Sequence, residues 1–511
     1  MPLKLNIPLP SKGLVVDRPG EYVDSRSAAA IKNMEFNRSI IRKRIGSSIL
    51  GATLSERVMR YFELQVGNQT RLFRVGLTKF QDLNKSTSVW SSATSTLLTG
   101  SSNNPISYGF PLLSGAKIVV YTNLTDSIRK CLITGNDATL GGSPPKCKFL
   151  ISYGPYLVLA YVIDAGDTFY SRVQWCDTGD PETWSGGNAG STDLLEDSED
   201  ITGLGIFGGV LTVHKLNSIY TGQLVSTSDV FSFERRATGV GAVTEATIQN
   251  IPSGEQIFLA TDGIHLFNGI TAPLIESPIQ DEIRESINPQ YFDRCQSVFV
   301  EEADEYWVSV PIGSSSEAET VYKYNWRTKQ IYKDERDNLT AMGTYLNTAD
   351  LTWDDAVGSW DSNVDSWDSN RLLSASPIVI LGDSNGISTI RSSATNDDNS
   401  TAVESILETK DFTCEDFGIT DIDSLMRWKG MQVWAKGTGV SVYYSLDGGT
   451  TWGLISTLSL NSDYPDDDSP LNVWFDYVKS RIRFRFVNSS SEGTFTLKKY
   501  QVSATPREAR R

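Results

Sequence analysis

The chain holds only two histidines, His214 in LTVHKL and His265 in DGIHLF. Both sit in runs read as strands, with no G-x-S-x-G elbow, HExxH zinc motif or P-loop beside them, and we read both as packed or edge residues. Five cysteines (Cys131, Cys147, Cys176, Cys295 and Cys414) are widely spaced and form no CxxC pair. That gives no zinc or thioredoxin signature and suits buried free thiols in a reducing compartment. Carboxylates are abundant, so composition permits a two-carboxylate hydrolase, but no pair stands out. Asp466, Asp467 and Asp468 in YPDDDSP read as a solvated turn. The sharpest local motif is Ser445-Leu446-Asp447-Gly448-Gly449-Thr450-Thr451-Trp452. It predicts a hairpin turn in which Asp447 accepts backbone N–H bonds, Gly448 and Gly449 take positive φ, and Trp452 folds over the turn.

A second unusual stretch is TWDDAVGSWDSNVDSWDS, residues 352–369, which sets Trp353, Trp360 and Trp367 seven residues apart. One apolar residue per heptad cannot make a coiled coil, and Asp, Ser, Asn and Gly are poor interior helix residues. The stretch reads as an irregular loop anchored by its tryptophans. Its Asp354, Asp355, Asp361, Asp365 and Asp368 offer oxygen ligands for a hard cation such as calcium, although their spacing fits no EF-hand. From these residues we assign no catalytic group, no metal and no cofactor.

The elements that must position these residues are mostly short strands. Hairpin-like runs recur at 60–76, 117–134, 149–175, 204–224, 255–269, 297–313 with 321–333, and 377–390. Their spacing of roughly 40–50 residues is that of a β-propeller blade, and predicts a propeller of about six to eight blades over residues 56–395, with the Trp-Asp loop inserted at 350–370. SSATNDDNSTAVES reads as a polar linker. Residues 404–505 then alternate strongly, as in Val440, Val442 and Tyr444 or Ile482, Phe484 and Phe486, which predicts a C-terminal β-sandwich. Helical spacing is confined to 25–37, in an N-terminal segment spanning 1–55, and to 277–294, where Ile279, Ile283 and Ile287 share a face. A basic tail, 506–511, ends the chain. The fold class is therefore all-β with a short N-terminal helix.

The net charge is −16 over 511 residues, with a pI near 4.8. This argues against broad nucleic-acid binding, which needs basic patches, and favours a surface that repels polyanions. Arg38, Arg42 and Arg44 run against that average and are candidates for contact with an acidic partner. The first residues lack the apolar core of a secretory signal, and no run of about 18 apolar residues predicts a membrane span.

Two resemblances follow. The Ser445–Trp452 motif is similar to the Asp box of sialidase propellers, where it is a structural turn; this leaves a sialidase-like or other carbohydrate-binding protein as the alternative reading. Several stretches in order resemble the tail nozzle, or tail hub, of short-tailed bacteriophages (tail tubular protein B or packaged-DNA stabilisation protein). GLVVDRPGEYVDSRSAAAIKNMEFNRSIIRKRIGS carries Asn33, Arg42, Arg44 and Gly46 of an opening pattern, with Ile45 where proline is frequent. RVQWCDTGDPETW carries Arg172, Trp175, Asp177, Pro181 and Trp184. FGGVLTVHKLNSIYTG, FLATDGIHLFNG and the TWDD…SWDS repeat follow. The resemblance implies a non-enzymatic virion protein, assembled in the host cytoplasm into a homohexameric ring. Such a ring retains and conducts double-stranded DNA without reading its sequence, and docks an adaptor ring and fibres or spikes.

Overall fold

The run YLVLAYVID forms the strand Tyr156–Asp164, whose first five residues are buried. It lies inside a four-stranded antiparallel sheet covered on both faces, so it is continuously apolar where a half-exposed strand would alternate. The edge strand of the same sheet, Gly190–Asp193 (GSTD), carries no large apolar residue. The computed structural model describes residues 3–7, 9, 12–37, 40–67, 69–225, 230–275, 279–346, 377–392, 395–419, 424–466 and 469–507. Among these the chain is almost wholly strand and turn.

Antiparallel sheets follow one another along the chain. The first runs Val58–Val66, Gln69–Gly76, Phe80–Asn84 and Val89–Ser92. The second spans Ser107–Gly109 to Ala138–Thr139, the third Lys146–Tyr153 to Gly190–Asp193, and the fourth Ile201–Phe207 to Phe231–Thr238. The fifth has three strands, Gln249–Asn250, Gln256–Ala260 and Gly263–Phe267. Gln296–Val300, Glu305–Val310, Ala318–Asn325 and the long strand Ile331–Tyr345 come next. The far half of that long strand pairs with Ile378–Asp383, which pairs with Ser388–Ser392, which pairs with the early strand Gly46–Ile49. Hairpins turn where glycine permits: Gly208 and Gly209 both take positive φ between two strands of the fourth sheet, the geometry that matches strand twist.

Apolar clusters lie between successive sheets. Phe62 and Phe73 meet Val119 and Tyr121; Phe149 and Val158 meet Leu204 and Val213; Ile219 meets Phe258 and Phe267. Trp307 and Val321 meet Met342 and Leu381, and Ile380 and Ala341 return to Val58, Tyr61 and Leu72 of the first sheet. Each large side chain so buried stabilises by about 1.5–3 kcal/mol. The return contact is close. A Cβ on Gly343 would stand 2.9 Å from the Tyr61 Cβ, and one on Gly382 would stand 2.7 Å from the Tyr61 hydroxyl and 2.9 Å from Val58. That hydroxyl donates to Ser388 Oγ at 2.8 Å.

The two ends of the chain share sheets. Leu3–Ile7, Met34–Asn37 and Ile40–Lys43 join Phe495–Pro506, Met426–Gly437 and Leu471–Lys479. Ala30–Lys32 joins Ser405–Glu408, Arg483–Asn488, Gly439–Ser445 and Gly453–Ser459, and meets the strand Ile331–Tyr345 in parallel through Lys32 and Lys333. Val442, Val473, Phe475, Phe484, Phe486 and Val502 fill the space between these two sheets.

The expected helix over 25–37 is corrected: those residues hold the strands Ala30–Lys32 and Met34–Asn37. Ala28, Ile31 and Met34 mimic a helical stripe, but Ala30–Lys32 pairs with the distant strand Ser405–Glu408 and Met34–Asn37 with the neighbouring Ile40–Lys43, and that pairing overrides local propensity. At 277–294 an α-helix does form, over Gln280–Ser286, and gives way to a 3-10 helix, Pro289–Arg294, because a residue before proline avoids helical ψ. Ile279, Ile283 and Ile287 are buried. No helix among the described residues is long and apolar enough to cross a membrane. Gly382→Ala is expected to destabilise the protein by about 1–3 kcal/mol in a denaturant titration, because the added methyl meets Tyr61 and Val58.

Candidate functional site: a buried ionic junction

Asn33, Arg42, Arg44 and Gly46, one pattern in sequence, fold onto one spot. Asn33 has φ 53°, a left-handed conformation that asparagine tolerates well, and links the strands Ala30–Lys32 and Met34–Asn37. Its Oδ1 accepts from Arg44 Nε and from the Glu335 backbone N–H, each at 3.1 Å, and its Nδ2 donates to the Glu404 carbonyl at 2.8 Å. Arg44 is 1% exposed. Its guanidinium grips Asp398 with two nitrogens, at 3.0 and 2.5 Å. Arg336 Nη1 and Ser47 Oγ donate to the same carboxylate at 3.1 and 2.7 Å. A Cβ on Gly46 would fall 2.2 Å from the Asp397 carbonyl oxygen, so glycine is what lets the start of this strand approach the backbone at Asp397.

Behind this pair lies Asp334, fully buried, 3.7 Å from Arg44 Nε and ion-paired to Lys323. The Lys323 ammonium also sits over the Trp307 ring at 3.9 Å. Glu35 receives Arg391 Nη2 at 2.6 Å and Arg42 Nη2 at 3.1 Å. Burial by itself would raise the Asp398 carboxyl, but the guanidiniums of Arg336 and Arg44 outweigh it and hold that carboxyl well below the usual range. Burial, with repulsion from Arg44, pushes Arg336 down to about 10. A cleft of about 350 Å³ opens onto the network, lined in part by Lys32, Arg336, Asp337, Asp383 and Glu404. The acids of this network face bases at ion-pair distance, and Asp398, held ionised, is no proton donor near neutrality. The arrangement therefore clamps the N-terminal strands, the strand Ile331–Tyr345 and residues 397–404 together.

Two expectations change here. Arg44 was a candidate partner contact; its burial and its bonds to Asn33 and Asp398 spend it inside the chain. Arg42 is half-exposed and pairs with Glu35, and Arg38 lies outside the described residues. The stretch containing Asn396-Asp397-Asp398, read as a polar linker, supplies one buried anion, Asp397, and one half-buried anion, Asp398. Asp397 accepts from Ser491 Oγ at 2.6 Å and from the Glu492 N–H at 2.9 Å. The one available signal was physical: a basic side chain between two short strands, flanked by Ile41 and Ile45, requires an acid partner if buried.

The other singled-out residues fall elsewhere and do not converge. Arg172 pairs with Asp193 at 2.7 Å, and Trp175 Nε1 donates to the Asn188 carbonyl at 2.9 Å. Asp177 accepts from the N–H groups of Thr178 and Asn188, and Trp184 Nε1 donates to the Pro181 carbonyl at 3.0 Å, so this stretch closes its own loop. In the Ser445–Trp452 turn, Asp447 accepts from the N–H groups of Thr450 and Thr451 and from the Thr451 and Ser445 hydroxyls, while the Gly449 N–H donates to Ser445 Oγ. These bonds, led by Thr451, hold the Asp447 carboxyl well below its ordinary range. Trp452 packs under Arg485, 3.9 Å from its ring centre. His214 is buried against Gln256 at 2.9 Å, and burial pushes it down to about 4; His265 lies between the Ala272 carbonyl and Asp262. All five cysteines are buried. Trp353, Trp360 and Trp367, with the aspartates considered for a cation, lie outside the described residues. One carboxylate contrasts with Asp398: burial pushes Glu245 up to about 7 against the opposing Ser107 hydroxyl and Arg60.

No family model matches the chain, and no curated protein matches it. Among solved structures it is similar to BamB from Moraxella catarrhalis, at 9% identity and a TM-score of 0.37 over 67% of this chain and 99% of that one. It is also similar to PorZ, a surface component of the type-IX secretion system of Porphyromonas gingivalis, at 11% identity and a TM-score of 0.37. A third is the extracellular domain of a hybrid two-component system from B. thetaiotaomicron, at 9% identity and a TM-score of 0.39. The last two matches cover 81% and 82% of this chain but only 46% and 47% of those proteins. Likeness this loose assigns no function.

Asp398→Ala removes the carboxylate that Arg44 and Arg336 share, leaving Arg44 only Asp334 at 3.7 Å, and is expected to cost about 3 kcal/mol by denaturant unfolding, the low end for breaking a buried pair. The Asp398 carboxyl lies lower folded than unfolded, so its stabilisation is present above about pH 4 and is lost as pH falls through the folded value. Glu245 works in the opposite sense. Its folded value is raised, so stability falls as pH rises from 4.5 to about 7. Glu245→Gln is expected to match the wild type near pH 4 and exceed it by about 1–3 kcal/mol near pH 8, read from parallel melts.

Proposed function

We propose that the chain is a structural virion protein, the nozzle or hub of a short-tailed phage tail. It acts as a homohexameric ring whose channel retains DNA and conducts it during ejection. The observation that carries this reading is the order of phage-like stretches along one chain, from Asn33–Gly46 through Arg172–Trp184 to the Trp-Asp loop. The described residues of these stretches support it by what they do: they lock junctions and close loops, as a load-bearing conduit requires. In this reading the five separate sheets of three or four strands, with two more cut from the large sheet, make a seven-bladed propeller. The strand Gly46–Ile49 closes the last blade, and the sheets shared by the chain ends form a β-sandwich. A net charge of −16 per chain suits a wall that lets a polyanion pass, since a channel rich in Lys and Arg would hold it by counterion release.

The partners in this reading are five further copies, an adaptor ring and fibre or spike proteins, and the protein resides in the virion tail and catalyses no reaction. Electron microscopy of the purified protein, alone and with its adaptor, is expected to show six-fold rings. A monomer at high concentration that forms no ring even with the adaptor overturns the proposal. Fluorogenic glycosides are expected to show no turnover, and specific hydrolysis of any of them would favour the carbohydrate-active alternative.

A further inference from the structure

The sheet built from both chain ends presents one face to the apolar cluster and the other to solvent. Met431, Val433, Val473, Phe475 and Val502 point inward and are buried. Strand register arranges the outward residues in rows. Asn472 is opposite Gln432, Gln432 is opposite Gln501, and Gln501 is opposite Asn6. Four carboxamides thus cross four neighbouring strands in one line. Gln432 Nε2 donates to Asn472 Oδ1 at 3.2 Å, and Gln501 Nε2 donates to Asn6 Oδ1 at 2.6 Å.

In the adjacent row Trp474 is opposite Gly430, and Gly430 is opposite Ser503. Trp474 is 78% exposed, the most exposed large apolar residue among those described. A Cβ on Gly430 would lie 3.4 Å from its indole Cε3, so the ring leans over the glycine above a low floor. An aromatic covering a glycine on a sheet is a known packing device, but it would bury the ring, and here most of the ring remains in water. In the row beyond, Arg427 and Asp476 spend their charges on each other.

This combination has a definite chemistry. An exposed aromatic face accepts the apolar C–H face of a sugar ring, as aromatic side chains with one wet side do at recognition surfaces. Carboxamides carry donors and acceptors together, matching hydroxyl groups that do the same. The carboxamide row itself is uncharged, which suits a neutral ligand; the cations beside it are Lys4, opposite Ser503, and Lys499, which lies over the Trp434 ring at 4.4 Å. The row spans three inter-strand gaps of about 4.8 Å each, the length of a short chain more than of one sugar. We infer that this face is a binding site for a neutral oligosaccharide, with one sugar ring on Trp474 and neighbouring hydroxyls on Asn472, Gln432, Gln501 and Asn6. The inference stands independently of the nozzle reading.

Calorimetric titration of the full chain with maltohexaose, cellohexaose and chitohexaose tests it, with a heparin hexasaccharide as the charged comparison. At least one neutral hexaose is expected to bind with a Kd between about 1 μM and 1 mM. Trp474→Ala is expected to weaken that binding at least about tenfold, Trp474→Phe less, and Gln432→Ala several-fold. Because Trp474 is so exposed, the melting temperature of Trp474→Ala should stay with the wild type, which separates lost binding from lost fold. No binding of any neutral hexaose up to about 10 mM overturns the site, as does binding that Trp474→Ala leaves unchanged or tighter binding of the heparin fragment. Loss of self-association in Trp474→Ala, seen by light scattering without any sugar binding, would reassign the face to contact between copies.

Discussion

Arg44 and Asp398 are 354 residues apart in the chain and make a two-nitrogen ion pair in which Arg44 is buried and Asp398 half-buried at the cleft. Taking the Arg44 charge wholly, and the Asp398 charge mostly, from water is expensive, and the cost is offset only where geometry is good and the remaining lone pairs are filled. Here Asn33, Ser47 and Arg336 fill them. The result is specificity of placement more than net stability. Any displacement of the N-terminal strands leaves a buried charge unpaired, so the early strand Gly46–Ile49 has one register against Ser388–Ser392, and Ala30–Lys32 has one against Ser405–Glu408.

The rest of the architecture depends on that placement. The sheets from Val58 onward pack face to face in chain order, and the series returns on itself where Tyr61 sits over Gly343 and Gly382. Gly46–Ile49 adds the outermost strand to the last of them. The same N-terminal segment also supplies strands to both sheets that hold the C-terminal residues. One stretch of twenty residues, Ala30 to Ile49, thus ties the start, the middle and the end of the chain together; its charge network does so with groups that an open site would leave exposed.

That division explains why the polar motifs do not gather into a reactive centre among the described residues. Asp447 and Asp177 each close a turn with backbone N–H groups, and a carboxylate so committed is structural. The outward face beside Trp474 is a polar surface of another kind, with carboxamides bonded to one another. It is built by register across four strands, two of them from opposite ends of the chain.

Much of the fold was legible from local pattern. Alternation and glycine-bounded hairpins marked the strands because side chains project with a period of two and tight turns need positive φ. The Ser445–Trp452 turn was legible for the same reason: its bonds are made within a few residues. The segment 25–37 was not, because Ala28, Ile31 and Met34 carry a helical spacing that strand pairing overrules. Nor was the role of Asp397 and Asp398, since a polar stretch looks alike in solvent and in a buried network. By itself the sequence determined the all-β class, the local turns and the acidic balance, all properties of neighbouring residues or of composition. Only the tertiary structure decided that Arg44 turns inward, that the chain's ends share sheets, and that Trp474 and four carboxamides share one face. Those depend on register between strands hundreds of residues apart, which no local pattern encodes.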